Sequence, residues 1–364
     1  MSPSAKKFLA NTSLIVFAFV IAFSICEVFT RLLYKDESML FPRYQTDYQY
    51  GPYTIRGIRP NEKYWMTSID GTWKYTTNNR GFRNTKDFEY AKPANTLRVL
   101  SLGDSHTQGY EVRQNFTFSA VLERFLNHNS RKAEVINSGV SGFSTAEELV
   151  FLENEGIKYN PDVVILGFFA NDFEDNLKAG LFGLDSHNHI TKEKYEHIPG
   201  VFIQNVIYSI PGVQWLSENS YFYSLLFNNV WNYFKAKFTR EAQSEFAVAT
   251  STTVSGYPVA LAGALIEHMH QFCKERGIRF IVVDIPVLSE HYSFKSSVPQ
   301  ELLQNLQSEQ IEFISSQSLL KNFDGVAEMH VPHGHNHISE LTHTLIGMEI
   351  GHRLLATEDG SKNK

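Results

Sequence analysis

Two stretches of this chain, 162–168 (DVVILGF) and 279–285 (RFIVVDI), are apolar almost from end to end. A short continuous apolar run is what a strand covered on both faces requires, and such strands belong to parallel sheets flanked by helices. The neighbouring segments fit that frame. Residues 97–102 (LRVLSL) and 133–137 (AEVIN) read as two further strands, and 311–315 as a last one. Helices are expected at 117–128, where Phe118, Val121, Leu122 and Phe125 recur at helical spacing, and at 145–158, 259–276, 299–309 and 339–356. Gly277 would close the third of these. Strand–helix alternation of this kind predicts an α/β domain with a central parallel sheet between two helical layers.

Three regions stand outside the alternation. Residues 9–26 (LANTSLIVFAFVIAFSIC) form an 18-residue run without a charge, preceded by Lys6 and Lys7. As a helix it would span roughly 27 Å, close to a bilayer hydrocarbon core. It reads as an uncleaved signal anchor, with a cleaved signal peptide and a core helix as the alternatives. The two lysines place the short N-terminal side in the cytoplasm and the bulk of the chain outside. Residues 36–94, rich in Tyr, Asn, Gly, Pro and Thr, suggest short strands and turns, a neck against the main domain. Residues 175–258, with an aromatic segment at 221–238, suggest an inserted helical cap. The expected organisation is a cytoplasmic segment 1–8, an anchor 9–28, a neck 29–94, and a main domain 95–358 interrupted by the cap.

Composition narrows the class further. The chain has 364 residues, 43% hydrophobic and 20% charged, with a formal net charge of −6. These values exclude disorder and a many-helix membrane protein. No basic run appears, which argues against nucleic acid as a partner. Two cysteines, Cys26 and Cys273, argue against a disulfide framework or a cysteine-based metal site.

Four segments carry polar groups with chemical potential. Gly103-Asp104-Ser105-His106 follows the first buried strand, where an open α/β sheet places its ligands. A serine exposed in that turn can act as a nucleophile if a base takes its proton; Asp104 and Ser105 can equally cap the next helix. Asn137-Ser138-Gly139-Val140-Ser141-Gly142 follows the second strand, and the Gly142 N–H can donate to a developing oxyanion. Asn171, in Phe168-Phe169-Ala170-Asn171-Asp172, can supply a second donor or can cap a helix. His333-Gly334-His335-Asn336-His337 precedes the last helix and offers a general base. The alternate spacing of His333, His335 and His337 also raises a zinc site.

The order and placement of these blocks resemble the SGNH/GDSL hydrolase superfamily. Gly103-Asp104-Ser105-His106 is similar to its first block, with His106 where Leu is common. Gly142 matches the second, Ala170-Asn171-Asp172 the third with Phe169 in place of a Gly, and His337 the last, followed by ISELTHTLIGMEI. TTNNRGFRN at 76–84 and LRVLSLGDSHTQGYEV at 97–112 resemble the membrane-anchored bacterial branch. The resemblance implies a flavodoxin-like three-layer α/β/α fold and a cofactor-free serine esterase. It implies Ser105 as nucleophile and His337 as general acid and base. The N–H groups of Ser105 and Gly142, with the Asn171 side chain, would form the oxyanion hole. The expected substrate is an acyl ester of an envelope lipid or glycan.

One departure stands out: the family's Asp, three residues before the His, is here Gly334. A backbone carbonyl, His335, Asn336 or a distant carboxylate such as Asp324 could orient His337 instead, and Glu340 with His343 offers a second acid–base register. An O-acyltransferase acting on a cell-surface glycan, an inactive relative that binds, and a zinc-binding protein remain the alternatives.

Overall fold

The computed structural model describes residues 2–42, 44–195, 200–230, 233, 256–290, 292–334 and 336–362. The chain opens on α1 (Pro3–Leu33), whose 31 residues are long and apolar enough to cross a membrane. Two antiparallel hairpins follow: β1 (Gln45–Tyr50) with β2 (Tyr53–Ile58), and β3 (Lys63–Ser68) with β4 (Gly71–Thr76). The alternating part begins with β5 (Leu97–Gly103), the short α2 (Ser105–Gln108), α3 (Phe118–His128), β6 (Ala133–Asn137), α4 (Thr145–Asn154), β7 (Val163–Phe168) and α5 (Asp172–Ala179).

The insertion contains a small hairpin of β8 (Phe182–Leu184) and β9 (Ile190–Lys192), then α6 (Gly200–Tyr208), α7 (Val213–Asn219) and a helical stretch at 221–230. The insertion expected as a helical cap thus holds helices and, at its start, a hairpin whose three-residue strands are too short to show a period. Most of its last part, 231–255, lies outside the described residues. The alternation resumes with α8 (Tyr257–Lys274), β10 (Arg279–Asp284), the hairpin of β11 (Val287–Glu290) and β12 (Ser293–Lys295), α9 (Gln300–Ser308), β13 (Glu312–Ile314), α10 (Ser316–Leu320) and α11 (Glu340–Lys362).

Five strands form one parallel sheet in the order β6-β5-β7-β10-β13. This is the flavodoxin-like order, and its direction reverses between β5 and β7. Alternate strand residues feed two apolar layers. Val99, Val135, Val163, Ile165 and Ile281 pack under Phe118, Leu122 and Leu126 of α3 and Ile346 and Ile350 of α11. Leu100, Ile136, Val164, Leu166 and Val282 face the other way, toward α4, α8 and α9. The neck belongs to this second layer, since Tyr53, Ile55, Tyr64, Met66 and Tyr75 are buried in the same cluster.

Arg98 ties the neck to the sheet. Its buried guanidinium donates to the carbonyls of Glu89 (2.9 Å) and Tyr159 (2.8 Å) and to Glu134 (2.8 Å). Replacing it with Met would leave these acceptors unpaired in a dry site. Arg98→Met is expected to cost about 3–5 kcal/mol. For a chain of this length that corresponds to a fall of roughly 4–7 °C in thermal midpoint, measurable by calorimetry.

Candidate active site

The sheet places three loops together at the carboxyl ends of β5, β6 and β7, next to the point where strand order reverses. Ser105 opens α2 directly after β5. Asp104 caps that helix, accepting from the His106 N–H at 2.8 Å. Both roles weighed for the segment are thus separated: Asp104 is the cap, and Ser105 is free to face outward.

The Ser105 Oγ lies 3.0 Å from Nε2 of His337. His337 sits before α11, where the chain from His330 to Ile338 folds back on itself in an antiparallel bridge. Its backbone carbonyl accepts from Val331 N–H at 2.8 Å. The other ring nitrogen, Nδ1, lies 3.2 Å from Oε2 of Glu111. An Oγ–H donating to Nε2, with Nδ1–H donating to a carboxylate, is the tautomer that this pattern of partners favours.

Glu111 is the residue that the sequence did not reveal as part of the site. Its side chain is fully buried, and it occupies the left-handed backbone region at φ 57°. A non-glycine residue holds that conformation only where its surroundings enforce it. Here the neck does so. The Tyr75 hydroxyl accepts the Glu111 N–H at 2.9 Å. Arg83 donates to the carbonyls of Gln108 (2.9 Å) and Val112 (2.7 Å) and to that of Gly109, while its guanidinium lies over the Tyr75 ring. Arg83 belongs to the TTNNRGFRN segment, and Glu111 to the GYEV that ends the stretch after Ser105.

Gly334 has a steric reason to stand where the resembling family carries Asp. A Cβ at this position would lie 2.3 Å from Oε2 of Glu111 and 2.8 Å from Cβ of Val331. The missing carboxylate and the unexpected one are thus two sides of one arrangement. The signal available in the sequence was the absent acid together with a carboxylate six residues after the serine.

The remaining candidates fall into place around this line. Gly142 adopts φ +79°, which a side chain would disfavour. The backbone N–H groups of Ser105 and Gly142 take no partner among the described residues. The Asn171 amide donates one N–H to Asp104 Oδ2 at 3.2 Å, and its second N–H remains. His343 is turned away: it is buried, its Nδ1 accepts from the Phe118 N–H at 3.1 Å, and burial pulls its pKa down to about 3. Glu340 is held by Arg113, at 2.8 Å from Nε to Oε1 and 2.9 Å from the backbone N–H. The acid–base register of Glu340 with His343 is therefore not assembled. Asp324 is also elsewhere, accepting from Phe294 N–H at 3.3 Å.

His333 is drawn to Asp70 in the β3–β4 turn, 2.8 Å from Nδ1 to Oδ1, while His337 faces Ser105 and Glu111. The two histidines thus serve different partners. His335 lies outside the described residues. Among the described residues no three His, Cys, Asp or Glu side chains converge as a metal-ligating group.

Below the site lies a buried acidic group. Burial pushes Asp104 up to about 6. Burial, with neighbouring carboxyls, also holds Asp172 and Glu148 well above the ordinary range. Neither carboxyl oxygen of Glu148 has a hydrogen-bond partner among the described residues. Such an acid keeps its proton in the folded state after the unfolded chain has lost it. Its contribution to stability therefore shrinks as pH rises above 4.5 toward the raised value. Glu148→Gln cannot ionise. Its thermal midpoint, minus that of wild type, is expected to grow as pH rises above 4.5 and to level off once Glu148 ionises in the folded protein, in parallel melts. A difference that stays constant would show that Glu148 does not titrate this way.

The comparisons with known proteins follow the same outline. The family described as GDSL-like Lipase/Acylhydrolase matches residues 99–350. No curated protein matches this chain. Among solved structures, the esterase EstA from Pseudoalteromonas sp. is similar at 11% identity and TM-score 0.40, covering 72% of this chain and 99% of its own. A lipase/acylhydrolase from Enterococcus faecalis is similar at 17% identity and TM-score 0.37, covering 71% of this chain and 96% of its own. With its family match running from β5 into α11, over more than half of the chain, this chain belongs to the GDSL-like lipase/acylhydrolase family.

Proposed function

We infer that this acyl hydrolase is a membrane-anchored serine esterase working through Ser105, His337 and Glu111. The observation that carries the reading is the unbroken line Ser105 Oγ, His337 Nε2, His337 Nδ1, Glu111 Oε2, with steps of 3.0 and 3.2 Å across the ring. In the first half-reaction Oγ bonds to the ester carbonyl carbon while its proton passes to Nε2. The carbonyl oxygen becomes an oxyanion, received by the N–H groups of Ser105 and Gly142 and by the Asn171 amide. Collapse breaks the bond to the alcohol, which leaves with the proton from Nε2. Water then repeats the cycle on the acyl-enzyme: Nε2 takes its proton, the acid departs, and Oγ recovers the proton. Glu111 holds Nδ1–H and offsets the positive charge that the ring carries between transfers.

The apolar α1 supports an anchor, and Lys6 and Lys7 ahead of it support a catalytic domain on the extracytoplasmic side. An ester carried by an envelope lipid or glycan fits that placement. The test is release of p-nitrophenol from its acetate by the detergent-solubilised full chain. Turnover above buffer is expected, and its absence across neutral and mildly alkaline pH would overturn the reading.

A further inference from the structure

The stretch 200–230 (GVFIQNVIYSIPGVQWLSENSYFYSLLFNNV) contains one charged residue, Glu218. That charge is itself engaged, its carboxylate accepting from the Trp65 backbone N–H at 3.2 Å and from Gln214 Nε2 at 3.2 Å. A soluble surface of this length ordinarily carries several charges. Instead it exposes large apolar side chains: Phe202 (67%), Val206, Ile210, Trp215 (64%), Leu226 and Val230. Phe202, Val206 and Ile210 recur every four residues, so they form one stripe along α6 and the turn that follows. The opposite side of α6 is occupied, with Gln204 buried against β1 and Asn205 accepting from Arg59 at 2.6 Å.

This face is joined to the end of α1. The Glu27 carboxylate accepts from the Ser220 hydroxyl (2.7 Å) and from the N–H groups of Tyr221 (3.1 Å) and Phe222 (2.9 Å), capping the helical stretch 221–230. Arg31 donates to the Asn219 carbonyl at 2.6 Å and lies over the Tyr221 ring, and Phe23 meets Phe222 edge-on. In α1 the apolar run ends at Cys26. Glu27 and Arg31, the next charged residues, stand where such a helix leaves the hydrocarbon for the headgroups. The insertion is thus fastened at that level, and over 200–230 it presents Trp and aliphatic side chains with Glu218 as the one charge.

We propose that the exposed face of α6, α7 and 221–230 lies in the interfacial layer of the same phospholipid bilayer that α1 crosses. The inference rests on the reading of α1 as an anchor. It makes the insertion a membrane-facing platform, in keeping with the chemistry of interfacial helices. The platform adjoins the site through Gln45, which donates to the Ser141 carbonyl at 2.6 Å and accepts from Gln204. Ser141 precedes the oxyanion-loop glycine, so α6 and the Gln45 side chain would separate the bilayer surface from the loop that receives the ester.

The test uses the full chain with Cys26→Ser, reconstituted in phosphatidylcholine–phosphatidylglycerol vesicles; Cys273 is buried and does not compete for label. Single cysteines replace Phe202, Trp215, Phe17 in the anchor, or the exposed Val326 in the turns after α10, outside the insertion, each labelled with an environment-sensitive fluorophore. Doxyl lipids with the spin label near the headgroup are expected to quench Phe202→Cys and Trp215→Cys at least twofold, and Val326→Cys not at all. Phe17→Cys is expected to respond to deep-placed doxyl groups. Quenching at Phe17→Cys but none at Phe202→Cys or Trp215→Cys would overturn the platform and leave the anchor standing. No quenching at Phe17→Cys would overturn the anchor itself, and the platform with it. Emission at Phe202→Cys and Trp215→Cys that ignores doxyl lipids but changes with the protein-to-lipid ratio would assign the face to a second copy and also overturn the proposal.

Discussion

Ser105→Ala is expected to lower kcat for p-nitrophenyl acetate by roughly 10³–10⁶ while leaving the thermal midpoint within about a degree of wild type. The size of the loss follows from the chemistry. Without Oγ there is no acyl-enzyme, and the remaining donors can stabilise only a direct attack by water. The stability expectation follows from the structure. Ser105 holds no helix cap, because Asp104 does that, and its hydroxyl is bonded to His337 rather than to the core. His337→Ala should fall in the same range, and the double variant should be little worse than either single one, since the two residues act as a unit. Activity in Ser105→Ala equal to wild type would mean that the hydroxyl is a bystander.

The second large effect concerns Glu111. Glu111→Gln keeps the shape of the side chain but removes the charge that orients the imidazole. A loss of about 10²–10⁴ in kcat is expected, by analogy with amide replacement of a triad carboxylate. KM should change little, because Glu111 sits behind His337 and not against a substrate. Gly334→Ala should reproduce much of that loss without removing any polar group. Its Cβ would displace Oε2, from which it would otherwise lie 2.3 Å. Glu111→Ala combined with Gly334→Asp offers the reciprocal experiment. The first change removes the nearer obstruction, leaving a local shift to relieve the 2.8 Å approach to Val331 Cβ, and the second supplies an acid three residues before His337. Partial recovery relative to Glu111→Ala alone is expected in kcat. If Glu111→Gln retains wild-type kcat across the pH range, the carboxylate has no part in orienting the base.

The sheet was legible in the sequence because β7 and β10 are apolar on both faces, a pattern few other structures permit. The serine, Gly142, Asn171 and His337 were legible as candidates because each stands in a loop at a strand's carboxyl end or before the last helix. Glu111 was not, for a physical reason. Its place depends on Arg83 and Tyr75, which lie 28 and 36 residues upstream and clamp the loop from a different layer. Nothing local to GYEV announces a left-handed glutamate pointing at a histidine more than two hundred residues away. The β8–β9 and β11–β12 hairpins escaped notice because strands of three or four residues give too few positions for alternation to show. The neck, expected to pack against the main domain, shares that domain's core through its tyrosines, and Tyr75 holds the Glu111 N–H.

The central claim is that Ser105 is activated by the line running through His337 to Glu111. Reaction with a fluorophosphonate probe reports that activation without requiring knowledge of the substrate. Intact-mass measurement of the full chain in detergent should show one adduct, located at Ser105 by peptide mapping. The adduct should be absent in Ser105→Ala and should form at least a hundredfold more slowly in His337→Ala and Glu111→Gln. A serine that stays unlabelled in the folded wild-type protein, or labelling at equal rates in wild type and Glu111→Gln, would contradict it.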